Sequence, residues 1–240
     1  MNKLAAEIWG KETGCSKGRG GSMHIAAPEV GFMGATPIVA GTVSLAVGAA
    51  LAAKIKREDR IVVSFFGDGA MGEGVVYESL NLAALWKLPI IFVCENNGYA
   101  THMPTNKCWN GAREFHEVAE SIGIDGYWLD GNDVTLVNDS VKSAIAHMND
   151  GPTFLECETY RLCGHVGPDD NILGSHTDIR PKKEIEEWQM KDPLRSDITT
   201  FMAAGILSDE AITKEVQEAI EFARTSPWPN KEDLLRDVYA

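Results

Sequence analysis

Apolar and polar positions change rhythm along the chain, and each change marks an element. Residues 60–66 (RIVVSFF) form an apolar run rich in β-branched side chains, which predicts a buried parallel strand. The run stops at Gly67-Asp68-Gly69, where two glycines around an acid permit a sharp turn and a close approach to a ligand. Val76, Leu80, Ala83 and Ala84 then recur at helical spacing within residues 75–86. A second buried strand, 90–94, ends in Glu95-Asn96-Asn97. The alternation continues with a helix over 113–122 and a strand over 127–130. A turn and N-cap at 131–133, an amphipathic helix over 134–148 and a strand over 153–161 follow. This order predicts an α/β fold, a doubly wound parallel sheet flanked by helices. Sheets of that kind bind ligands beyond the carboxyl ends of their strands.

The flanks read differently. Residues 2–9 (NKLAAEIW) predict a short helix capped by Asn2, followed by a basic, glycine-rich loop over 10–21 that leads into Ser22-Met23-His24. Residues 38–55 are apolar, but many are Ala or Gly, and Thr42 and Ser44 are polar, so a tightly packed buried helix fits better than a membrane span. Residues 100–112 and 167–180 read as irregular loops, 182–190 and 209–224 as helices, and 227–229 as a breaker. The expected organisation is a ligand-binding domain over 1–180 with a helical extension over 181–240, packed on it or on a partner.

With 240 residues the chain can bury a full core, and 44% hydrophobic with 24% charged residues is ordinary for a soluble globular protein. A formal charge of −13 argues against nucleic acid or an anionic membrane as partner. It also makes an anionic ligand hard to hold without a cation. Five cysteines without a CxxC, two of them in apparent strands, suit a reducing cytoplasm. The chain opens on no recognisable signal peptide.

Asp68 and Asn97 stand at the ends of two predicted strands and can converge on one point. Mg²⁺ takes oxygen ligands in octahedral array and shares them with phosphates and water. A carboxylate from Asp68, an amide oxygen from Asn97 and the backbone carbonyl of Tyr99 would leave room for two diphosphate oxygens and a water. The amides at Gly67 to Gly69 could donate to the phosphates. GDG alone is an ordinary turn; GDG followed after a helix and a strand by NN is far more specific.

That pair resembles the thiamine diphosphate motif. More narrowly, GDGA…ESLNLAALWKLPIIFVCENNGY resembles the alpha subunits of 2-oxo acid dehydrogenases of the pyruvate, branched-chain and acetoin type, with a likeness from GCSKGRGGSMH to KDP near residue 192. The resemblance implies thiamine diphosphate and Mg²⁺ as cofactors. It implies Asp68, Asn97 and Tyr99 as metal ligands, and Gly67, Asp68, Gly69, Ala70, Asn97, Tyr99, His165, Pro37 and Val39 as the cofactor-binding set. Pro37 and Val39 fall where family backbone carbonyls meet the aminopyrimidine ring. His165, in CGHVG, matches a histidine that contacts the diphosphate, and His24, in GGSMH, lies in a loop beside the cofactor channel; the resemblance implies these two as the candidate catalytic residues. For His24 with Lys17 and Arg19 two readings stay open, an entrance for an anionic substrate or a solvated basic loop. His102 is a candidate substrate contact or an exposed loop histidine.

The sequence also departs from the pattern. No Tyr-Arg-x-His motif stands in residues 1–16, Ala-Thr-His-Met replaces the usual Gly-Met-Gly-Thr, Val166 replaces a serine, and Ile179 replaces the tyrosine before Arg180. The implied activity is cleavage of the bond next to the carbonyl of a 2-oxo acid or related ketone, the carbanion passing to lipoamide or another acceptor. The glutamate that activates the pyrimidine comes, in this family, from a beta subunit, so an α2β2 assembly and an interface site are expected. A separate N-terminal piece or a lipoyl acyltransferase are further expected partners. A split transketolase-like ketol transferase or carboligase, and a degenerate scaffold subunit, are the alternatives.

Overall fold

The computed structural model describes residues 1–111, 113–165, 180–194 and 208–235. The chain divides into two compact units, Met1–Pro37 with Ser196–Ala240, and Ile38–Arg195. The division drawn from the sequence placed its boundary at 180 instead.

The second unit carries the sheet. Its strands are β1 (Val62–Gly67), β2 (Ile90–Asn96), β5 (Asp125–Asp130) and β6 (Thr153–Glu158), in the order β1-β2-β6-β5 and all parallel. Its principal helices are α2 (Gly41–Lys56), α3 (Gly74–Leu85), α5 (Phe115–Ser121), α6 (Val134–Ala146) and α7 (Lys182–Gln189). Residues of α2, α3 and α5 join Phe66, Phe92 and Phe154 in one apolar cluster, and α6 joins Val93, Leu129 and Leu155 in a second. The clusters lie on opposite faces, since Phe92 and Val93 are successive residues of one strand. This follows from topology. The chain winds outward from β1 through β2 to β5, then back to β6, and a right-handed crossover in the reverse direction puts its helix on the other face. The doubly wound parallel sheet expected from the sequence is therefore present.

Several local expectations need correction. β1 is not buried on both faces: Val63 is 43% and Phe65 62% exposed, because β1 is an edge strand and α6 packs over the other strands. Residues 100–112 are not wholly irregular. They form a short antiparallel pair, β3 (Tyr99–Ala100) with β4 (Met103–Pro104), and a single helical turn, α4 (Thr105–Cys108). The N-cap of α6 is as expected: Asp133 accepts the Leu136 amide at 2.9 Å. No helix among the described residues is long and apolar enough to cross a membrane.

In the first unit α1 (Asn2–Ile8) packs against α8 (Asp209–Thr225) through Ala6, Ala219 and Ala223. Asn2 is the first residue of its helix rather than the cap, which is Met1. Glu7, on α1, is fully buried and accepts backbone amides from Ser16 at 2.7 Å, Gly18 at 2.9 Å and Gly20 at 2.6 Å. The glycine-rich loop is thus an ordered wrap around a carboxylate.

Candidate active site

β1, β2 and β6 are neighbours, and their carboxyl ends bring the motifs together. Gly67 closes β1 in register with Glu95, and Asn96 on β2 is in register with Glu158 on β6. Asp68, Gly69 and Ala70 form a tight 3-10 turn (Asp68–Gly72) whose Met71 carbonyl accepts the Tyr77 hydroxyl at 2.5 Å. Asp68 is only 3% exposed, and its Oδ2 accepts the Thr105 hydroxyl. Gly69 sits against β3: a Cβ there would meet the Ala100 Cβ at 3.0 Å and its Cα at 3.3 Å. So the GDG turn and the segment after NN are pressed together, and glycine is what permits it.

The NN turn is ordered by its own side chains. Asn96 Oδ1 accepts the Gly98 amide at 3.2 Å, Asn97 Oδ1 accepts the Tyr99 amide at 3.0 Å, and Gly98 takes φ +77°. Asn96 Nδ2 donates to Glu156 at 2.8 Å.

A second layer surrounds this turn. The Tyr99 hydroxyl donates to both oxygens of Glu184 on α7, at 2.8 and 3.0 Å, and the Tyr160 hydroxyl donates to the same carboxylate at 2.9 Å. Burial, and then the bond to Glu184, push the Tyr160 phenol well up from its ordinary range. Tyr160 stacks on Trp188 with ring centroids 5.0 Å apart, and the Arg180 guanidinium lies over the Tyr160 and Tyr99 rings at 5.0 and 5.8 Å. Arg180 also donates to the carbonyls of Arg161 and Cys163. A cavity of about 710 Å³ opens beside this cluster, lined by Asn97, Tyr99, Thr105, Trp109, Tyr160 and Glu184 among others.

His165 is reached through Arg161. One guanidinium nitrogen lies 2.6 Å from His165 Nδ1 and another donates to the Thr101 carbonyl at 3.0 Å. The His102 ring meets the His165 ring edge to face, centroids 6.0 Å apart. Burial first, then the Arg161 charge and His102, hold the His165 pKa below its ordinary value. A guanidinium only donates, so Nδ1 accepts and the neutral ring carries its proton on Nε2, poised as a hydrogen-bond donor.

The structure thus gathers Gly67, Asp68, Gly69, Ala70, Asn97 and Tyr99 in one site, with His165 tied to it through Arg161 and Thr101. Val39 is exposed just ahead of α2 in the same unit. Pro37 and His24 are exposed residues of the first unit. Val166 and Ile179, and most of the 167–180 loop, lie outside the described residues. Sequence reasoning passed over Thr105, Glu156, Arg161 and Glu184. Only Arg161 had a signal, the TYR that precedes the GH pair.

The donor set fits a magnesium-bound diphosphate. Asp68 is a buried carboxylate at a strand end, and the Gly69–Ala100 contact holds the turn that carries it against the segment after Asn97. Among the described residues no group of three or more His, Cys, Asp or Glu side chains comes together to hold a metal. One carboxylate with amide and carbonyl oxygens is a hard, Mg-type set that needs phosphate and water to complete it. Cys94 and Cys157 are buried free thiols, Cys94 pushed well above its usual range and Cys157 to about 11, chiefly by burial, so neither offers a thiolate.

The chain is similar to known proteins along nearly its whole length. The alpha subunit of acetoin:2,6-dichlorophenolindophenol oxidoreductase from Bacillus subtilis is 37% identical over 246 residues, covering 100% of this chain and 72% of that protein. Its counterpart in Cupriavidus necator is 38% identical, covering 98% and 72%. The pyruvate dehydrogenase E1 component subunit alpha of Porphyra purpurea is 36% identical, covering 99% and 72%. With the model of the dehydrogenase E1 component matching residues 1–232 as well, the chain belongs to the dehydrogenase E1 component family.

Proposed function

We propose that this chain is the diphosphate- and magnesium-binding subunit of a thiamine diphosphate-dependent enzyme. It would cleave the bond beside the carbonyl of a 2-oxo acid or related ketone and pass the fragment to lipoamide or another acceptor. The observation that carries the reading is the convergence of buried Asp68 and the Asn97–Tyr99 turn at adjacent strand ends, closed by the Gly69–Ala100 contact. Family membership supports the cofactor. The relatives' names supply the substrate class: pyruvate and acetoin both carry an acetyl group next to a carbon that can leave.

Thiamine diphosphate supplies the electron sink for that cleavage. The residues here do the holding. Asp68, the Asn97 amide oxygen and the Tyr99 carbonyl would ligate Mg²⁺, and the amides of 67–70 would face the phosphates. His165, kept neutral and with its tautomer set by Arg161, would donate a hydrogen bond at the same end of the sheet. Backbone at Val39 is proposed to border the rest of the cofactor.

A beta-type subunit is proposed to bring the activating glutamate, in an α2β2 assembly, and a lipoyl acyltransferase to take the product. Val63 and Phe65, exposed side by side on one face of β1, support a protein partner. Free buried thiols support a reducing, cytoplasmic setting.

The test is calorimetric titration of thiamine diphosphate into the chain assembled with its beta-type partner, with and without Mg²⁺. Magnesium-dependent binding is expected, and Asp68→Ala should abolish it while the unfolding curve stays cooperative. Equal binding by Asp68→Ala would remove the assignment. A complete lack of heat from folded wild-type assembly would favour the scaffold reading instead.

A further inference from the structure

Glu156 is a charged residue in the middle of a buried strand, TFLECE, and its exposure is zero. Removing a carboxylate from water is costly unless every lone pair that matters is met. Here both oxygens are engaged, and on two different elements. Oε1 accepts Asn96 Nδ2 at 2.8 Å; Oε2 accepts the His116 backbone amide at 3.0 Å and the His116 ring nitrogen Nδ1 at 2.8 Å. The backbone amide can only donate, so it fixes Oε2 as an acceptor, and the ring nitrogen shares the same oxygen.

The register explains the reach. Glu156 pairs with Cys94, and Asn96 lies two residues farther along β2, on the same face. The carboxylate therefore leans toward the carboxyl end of the sheet and grips the first residue of the NN turn from below. Asn96 in turn receives the Gly98 amide, and Asn97 receives the Tyr99 amide. Fixing Asn96 fixes where the turn starts, and with it the places of the Asn97 amide and the Tyr99 carbonyl.

We infer that Glu156 is a positioning residue for the metal–diphosphate site, acting through Asn96, with His116 locking the carboxylate from the other side. The inference rests on the reading of Asp68, Asn97 and Tyr99 as metal ligands. Groups that orient ligands without touching the metal typically change metal affinity by about 10–100-fold when replaced.

The chemistry suggests a polarity swap as the test. In Glu156→Gln the amide oxygen can still accept from His116, but the new NH₂ then faces the Asn96 NH₂, donor against donor. Adding Asn96→Asp restores the match: one Asp oxygen accepts the Gln amide and the other keeps the Gly98 amide. A residue that served only to tether His116 would not respond to a change at 96. The readout is Mg²⁺ affinity in the presence of thiamine diphosphate, by titration calorimetry on the assembled protein, beside each variant's melting temperature.

Glu156→Gln is expected to weaken Mg²⁺ binding about 10–100-fold, and Glu156→Gln/Asn96→Asp to recover most of it. Unchanged affinity in the single variant, or a loss that Asn96→Asp fails to recover, overturns the inference and leaves the site assignment standing. Absence of Mg²⁺-dependent binding in the wild type overturns both. Should Glu156→Gln not fold, Asn96→Ala carries the test, because it leaves the His116 contacts intact; undiminished affinity there also overturns the inference.

Discussion

Glu7 in the first unit and Glu156 in the second are both fully buried, and they are held in opposite ways. Glu7 is met by three backbone amides, those of Ser16, Gly18 and Gly20. Those donors belong to the path of the loop rather than to any side chain, and the loop's glycines supply room for it. A Cβ at Gly20 would lie 2.1 Å from the His24 carbonyl oxygen, and Gly18 takes φ +73° with a Cβ 2.5 Å from the Gly10 carbonyl carbon. Glu156 is met by the side chains of Asn96 and His116 and by one amide. The first arrangement organises a loop; the second couples a strand end to a helix. Burial of the same group therefore predicts a loss of stability in one place and a loss of ligand geometry in the other.

Five changes would break or sharpen that contrast. The largest effect is expected from Glu7→Ala, which strands three amides. At about 1–3 kcal/mol for each buried donor left unsatisfied, urea denaturation should show a loss of about 3 kcal/mol or more. If Glu156→Ala lost as much with the magnesium dependence of binding unaltered, the two carboxylates would be alike and the contrast would fail. Gly18→Ala comes next, at about 1–3 kcal/mol from overpacking and a left-handed backbone. A neutral result would mean the loop can be redrawn around Glu7.

Tyr99→Phe is a smaller change, about 0.5–1.5 kcal/mol for one hydrogen bond, because Glu184 keeps Tyr160 as a donor. It should leave magnesium affinity almost untouched, since the proposed ligand is the carbonyl and not the phenol. The smallest concerns His165. Its folded pKa lies below the ordinary 6.5, so between those two values the unfolded chain binds more protons. Its contribution to stability is then complete above 6.5 and declines as pH falls through that window. NMR should place its titration below 6.5, and Arg161→Gln should move it upward by removing the neighbouring charge.

The strand ends were legible in the sequence because a buried run cut short by an acid between glycines has few other uses. Asp68 and Asn97 were placed just after two strands that way, and the parallel sheet followed from the alternation of elements. Glu156 was not legible: within TFLECETYR a glutamate reads as the solvent side of an alternating strand, and nothing local shows that both faces are covered. Glu7 hid in a short helix where an acid is ordinary. Glu184, in KKEIEEWQ, is one of three acids whose facing depends on how α7 docks. The exposure of Val63 and Phe65 escaped notice because hydrophobic content identifies a strand but not its place in the order. The two-residue strands β3 and β4 are too short to leave a pattern.

That edge has a consequence for how such a protein is made. β1 offers, on one side, backbone groups with no neighbouring strand among the described residues and, on one face, Val63 and Phe65 in water. Unprotected edges of this kind invite pairing with any other chain in an extended state. A cell that translates this polypeptide faster than the beta-type partner proposed above would accumulate a sticky surplus, and its yield would then follow the supply of that partner rather than its own message level. Co-expression is therefore the condition under which the soluble yield should be judged.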